Sequence, residues 1–238
     1  MKNETNVSDR KEAEATQTEL DGVVLNVELT LISIIQGVGL YFLTDNSRAV
    51  LVERQWAYLP YVLTGLFSIF LFWSRSLIHT LTVIRWPLEF THNFLYIACT
   101  LMEAVTFTQV NHAENWFFCY AVLSVLVWLL FVCDLRLIHR RIRDSAGHFG
   151  SRLYPIVEKD QWTNIKFLVP FTILFNGAAW YCLHRWPAFF IAKNGHLIWA
   201  ILQCASVFGY LVYGVFFFQK LTPLIAKTRK EWRDDVLE

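Results

Sequence analysis

The chain has 238 residues, of which 55% are hydrophobic and 16% aromatic, with a formal net charge of +1 and a mean hydropathy of +0.37. An ordinary water-soluble domain spreads charge over its whole surface, and that class is excluded here. The charged residues stand in short blocks between long apolar runs, and no nucleic-acid partner is expected.

The fold class expected is all-α, a polytopic membrane protein of six transmembrane helices. Residues 1–22 are polar and acidic without an apolar signal-peptide core. They are expected to be a disordered cytoplasmic segment, with the first span directing insertion. Crossing the hydrocarbon core takes about twenty mainly apolar residues. Six segments within a 23–218 membrane domain qualify: Val23–Leu43, Trp56–Ile78, Pro87–Gln109, Trp116–Ile138, Asn164–Leu183 and Leu197–Phe218. Thr44-Asp45-Asn46-Ser47 and Asn111-His112-Ala113-Glu114-Asn115 read as turns between them. Pro87 suits the first turn of a helix. Asp144–Trp162 reads as a long loop. Pro170 falls inside the fifth span, where it should bend the helix or draw a partner onto the carbonyl it frees. Residues 219–238 read as an amphipathic cytoplasmic tail on the inner membrane surface.

Sidedness follows from the basic residues, because cytoplasmic loops retain Lys and Arg. With the N-terminus inside, six spans place seventeen of the 21 Lys and Arg in cytoplasmic segments. Only Arg48, Arg54, Arg185 and Lys193 lie outside. Both termini are therefore expected in the cytoplasm. Arg85-Trp86-Pro87 and Arg185-Trp186-Pro187 precede the third and sixth spans, a weak sign of a 3+3 inverted repeat.

Polar groups at membrane depth are costly and face protein or water, so each is a functional candidate. On the third span Glu89, His92, Tyr96, Cys99, Glu103 and Thr106 recur at intervals of three and four, one stripe on a helix of 3.6 residues per turn. The sixth span repeats this rhythm through His196, Trp199, Gln203, Ser206, Tyr210 and Tyr213. Glu103, Gln36, Asn176, Gln203, Tyr96 and Tyr210 are the candidates for a pathway or buried pocket. Glu28, Arg75, His79, Arg85, Glu89, His92, Asp134 and Arg136 lie near the expected cytoplasmic ends and form a candidate vestibule. The alternative is structural: Glu28, Glu89 and Asp134 pair with Arg75, Arg85 and Arg136, while Gln36, Asn176 and Gln203 tie helices together.

Cys99, Cys119, Cys133, Cys182 and Cys204 all lie in apolar runs without a CxxC pair, so neither disulfides nor a thiolate metal site is expected. Glu89-Phe-Thr-His92 has the E-x-x-H spacing of di-iron bundles but lacks its second copy. His79 with His92, and His184 with His196, sit at haem-like spacing but straddle Arg-Trp-Pro breaks. No catalytic or metal-binding residues and no cofactor are expected. The selectivity filter of classical potassium channels and the arginine ladder of voltage sensors are absent.

A homo-oligomeric channel or small transporter for ions, protons or a small polar solute is the leading expectation. A membrane-embedded enzyme or lipid-binding protein using the vestibule is the second, and a membrane subunit of a larger complex the third. The lipid bilayer is the expected partner. The Arg136–Arg143 block and the C-terminal tail would suit anionic lipid.

Overall fold

The computed structural model describes residues 2–82, 89–144 and 153–237, and every regular element among them is helical. Helix α1 runs Lys2–Val52, α2 Leu59–Thr82, α3 Phe90–Phe107, α4 Ala113–Asp144, α5 Leu153–Thr163, α6 Val169–Arg185, a short α7 Pro187–Phe190, and α8 His196–Leu237. Five stretches are long and apolar enough to cross a membrane: Glu19–Val52, Trp56–Thr82, Ala113–Arg143, Leu153–Arg185 and His196–Thr228. They mark the chain as a multi-pass membrane protein. The stretch expected as the third span is the 18-residue α3, shorter and more polar because His92, Asn93 and Glu103 interrupt its apolar run. Arg85-Trp86-Pro87 lies outside the described residues.

Part of the expected loop Asp144–Trp162 is helix. Leu153–Thr163 runs straight into a π-helical turn, Asn164–Leu168, and on into α6. The polar residues that suggest a loop are buried and bonded instead: Gln161 donates to the Phe131 carbonyl at 2.8 Å and Asn164 to Asp160 at 3.1 Å. The π turn leaves one carbonyl without a backbone donor. In that register the Ile165 carbonyl would pair with the backbone N–H of residue 170, which proline lacks. The indole of Trp128 donates to the Ile165 carbonyl at 3.1 Å and replaces it. The partner expected from Pro170 is thus a tryptophan on α4.

The long helices pack as a ring. Helix α1 packs on α2 and α3, α3 on α4, α4 on α6, and α2 on α8, while α6 and α8 close the ring through only a light contact. Close approach at the α1–α2–α3 junction depends on Gly65, where a Cβ would come within 2.7 Å of Leu43 and 3.1 Å of Phe107. Two apolar plugs fill the ends of the ring. One holds Leu43, Tyr61, Phe107, Trp116, Phe117 and Leu183. The other holds Ile78, Ile138, Leu153, Val157, Leu221 and Ile225, so the first turns beyond the sixth expected span bury side chains against α2, α4 and α5. In a bilayer these plugs hold through close packing rather than through expulsion of water.

Candidate functional site

Between the plugs the ring encloses a cavity of about 430 Å³ with walls from α1, α2, α3, α4, α6 and α8. Most of the wall is apolar, and its polar groups fall into three sets. The first is a stacked histidine pair with a carboxylate. His79 ends the chamber face of α2, His92 opens that of α3, and Asp134 approaches from α4. The imidazole ring centroids lie 4.9 Å apart, with the planes inclined at 19°. His92 Nδ1 is 2.7 Å from Asp134 Oδ1, and His79 Nε2 is 3.4 Å from the same oxygen. All three residues are at least nine-tenths buried. His79 Nε2 nevertheless makes no hydrogen bond.

The second set surrounds Arg75. Its guanidinium pairs with Asp160 and stands over the Tyr210 ring at 4.9 Å and the Tyr213 ring at 5.6 Å from the centroids. Tyr213 donates to Asp160 and Tyr210 to Asn164, both at 2.7 Å. Nε and Nη2 of Arg75 make no hydrogen bond. Arginine suits this place because its planar, weakly hydrated head stacks on aromatics while pairing with a carboxylate.

The third set is two acids. Glu103 has no exposed surface, and neither carboxylate oxygen meets a hydrogen-bond donor. Gly39 on α1 is its near neighbour. Glu28 is 3% exposed, with Oε1 likewise unpartnered. Buried polar atoms are normally satisfied, because burial without a partner costs a few kcal/mol, about 1–3 for a neutral group and more for a charge.

The sequence candidates separate accordingly. Glu28, Arg75, His79, His92, Tyr96, Glu103, Asp134 and Tyr210 line the chamber. Asn176 and Gln203 lie beside it as helix ties: Gln203 donates to Asn176 at 2.6 Å and accepts from Trp116 at 2.8 Å. Gln36 sits next to Tyr96, with its amide outside hydrogen-bond geometry. Glu89 is at the surface, paired with Arg140 at 3.0 Å. Arg136 is exposed, and Arg85 lies outside the described residues. The structural alternative pairs Arg75 with the wrong acid. Its partner is Asp160, which sequence reading places in a loop and therefore misses; the signal was present as Asp160-x-x-x-Asn164, one helical turn leading into an apolar run. All five cysteines are free thiols, and Cys99 and Cys119 are buried.

No family model matches the chain, and neither does any curated protein or solved structure compared with it. The fold and the site together define a class, a multi-pass helical membrane protein with a largely apolar internal chamber that carries a few buried polar groups.

Proposed function

We propose that this protein binds the head of an amphipathic, lipid-class molecule in the chamber, admitting it sideways from the bilayer between α6 and α8. What carries this reading is where the chamber meets the surface. The lining residues on α1, α2, α3 and α4 are buried or partly buried, whereas the exposed ones, Phe171, Ser206, Gly209 and Tyr213, all belong to α6 and α8. That seam is also the loosely packed one. It is pinned at both ends by side-chain bonds, Asn176 to Gln203 at one and Asn164 to Tyr210 at the other. Along α8 the pins stand seven residues apart, about 10 Å of rise.

An apolar wall with a few convergent polar groups is the usual form of a small-molecule site. Arg75 N–H groups without a hydrogen bond, and unpartnered oxygens of Glu28 and Glu103 in the same chamber, suit a head carrying both signs of charge. Six crossings with both termini in the cytoplasm go with this reading. The basic residues support that sidedness, and α3, at 18 residues, rises about 27 Å, close to the ~30 Å of hydrocarbon. The chamber is formed within one chain, so the site needs no second copy.

The test is photo-crosslinking in nanodiscs with a zwitterionic lipid bearing a photoreactive group near its head. Labelling concentrated on peptides containing Phe171, Ser206, Gly209 and Tyr213 is expected. Labelling spread evenly over all lipid-facing helices would count against the portal.

One observation favours a second reading, a path for a small cation or proton. A fully buried carboxyl without a donor, as at Glu103, is an ion-attracting group placed deep in the membrane. Liposome flux that changes with Glu103→Gln would support it, and flux indistinguishable from empty liposomes would remove it.

A further inference from the structure

The geometry points to a binding site for one divalent transition-metal ion at His79, His92 and Asp134, with Glu28 a further oxygen donor on the same chamber wall. Two imidazoles and a carboxylate from three helices converge with their ligand atoms all within 4.8 Å of one another. Zinc bonds to imidazole nitrogen and carboxylate oxygen are roughly 2.0–2.2 Å, which makes the edge of a tetrahedral ligand set about 3.3–3.6 Å. The His79 Nε2 to Asp134 Oδ1 separation is 3.4 Å and already fits. The His92 Nδ1 to Asp134 Oδ1 separation is 2.7 Å and would have to widen by about 0.6 Å to admit the ion.

Two further observations set this cluster apart from a hydrogen-bonded core triad. His79 Nε2 faces Asp134 without hydrogen-bonding it, although the residue is nine-tenths buried. Glu28, from a fourth helix, lines the same chamber with an unpartnered Oε1. A metal ion at the cluster would give His79 Nε2 the partner it lacks.

Nitrogen and oxygen donors without sulfur favour zinc, cobalt, manganese or ferrous iron over copper(I). Three ligands come from separate helices, and a fourth donor, from Glu28 or from a bound molecule, could complete a tetrahedral set. The inference does not depend on the amphipath reading: a metal can bind whether or not a lipid enters.

The experiment uses the full chain in nanodiscs, treated with a chelator and dialysed, then titrated with Zn²⁺ or Co²⁺. Wild type is expected to hold one zinc per chain by elemental analysis. With Co²⁺ it should give visible d–d absorption of a four- or five-coordinate site. His79→Ala, His92→Ala and Asp134→Asn should each weaken binding at least tenfold, and His139→Ala, on the exposed His139–Glu158 pair, should not. Wild type failing to bind stoichiometrically, or the three variants binding as wild type does, would overturn the site. X-ray absorption of the zinc-loaded wild type settles the matter without any variant. Nitrogen and oxygen scatterers with an imidazole pattern support the assignment, and sulfur scatterers overturn it in favour of a cysteine site. Loss of lipid crosslinking with zinc still bound would sink the portal alone.

Discussion

The indole N–H of Trp128 on α4 donates to the backbone carbonyl of Ile165 at 3.1 Å, at the place where Pro170 leaves the π-helical turn without a backbone donor. A side chain therefore completes the hydrogen bonding of a helix to which it does not belong. Trp128→Phe should lower stability by about 1–3 kcal/mol, the usual cost of leaving a buried acceptor unpaired. Pro170→Ala restores an N–H and should shrink that cost. A double-mutant cycle of thermal unfolding in detergent measures the coupling, and equal costs in both backgrounds would contradict this account.

Arg75 and Asp160 form a buried pair, with side-chain exposures of 10% and 5%. Removing one partner strands the other, a loss of roughly 3–5 kcal/mol. Asp160→Ala should therefore destabilise strongly, while Tyr213→Phe, which removes one of several bonds to that carboxylate, should cost about 1 kcal/mol. The apolar pair Arg75→Met with Asp160→Leu should recover much of the loss. Unfolding midpoints of the three variants decide this.

Gly209 lines the chamber at the loose seam, and a Cβ built on it meets nothing within 4 Å. Gly209→Leu should leave the unfolding midpoint nearly unchanged while reducing photo-lipid labelling of the chamber severalfold. Gly177 is equally open but does not line the chamber, so Gly177→Leu is the matched control. Equal labelling in the two variants would argue against a portal at Gly209.

Glu103 gains no hydrogen bond in the fold, so its carboxyl contributes nothing favourable to stability. Glu103→Met, similar in volume and free of the desolvation cost, should unfold no earlier than wild type and should lose any function the acid serves. A large drop in the unfolding midpoint would identify Glu103 as a structural residue after all.

Much of the architecture was legible in the sequence because lipid leaves a chain few choices: backbone groups must be satisfied within helices, so long apolar runs name themselves. The stripe His92, Tyr96, Cys99, Glu103 on α3 was legible for a similar reason, since helical spacing sets the face. What periodicity could not show was partnership. His79 and His92 are thirteen residues apart across an Arg-Trp-Pro break, and that break argued against a shared site. The fold brings them together on neighbouring helices, with Asp134 supplied by a third. Asp160 was hidden for the opposite reason: near Glu158 and Lys159 it looks like solvent-facing polarity, although it points inward to Arg75. Asn176 and Gln203 were legible as buried polar groups, but only their mutual bond shows that they fasten helices beside the chamber.

A ring whose seams are all tight except one does not deform evenly. Shifting α1, α3 or α4 breaks interdigitated packing on both sides, whereas parting α6 from α8 between their two pins disturbs few contacts. If lipid enters as proposed, the opening would be a slit that widens in its middle while its ends stay fastened. Bilayer thickness and lateral pressure would then act on that slit, and the width of the chamber would be set by the membrane as much as by the protein.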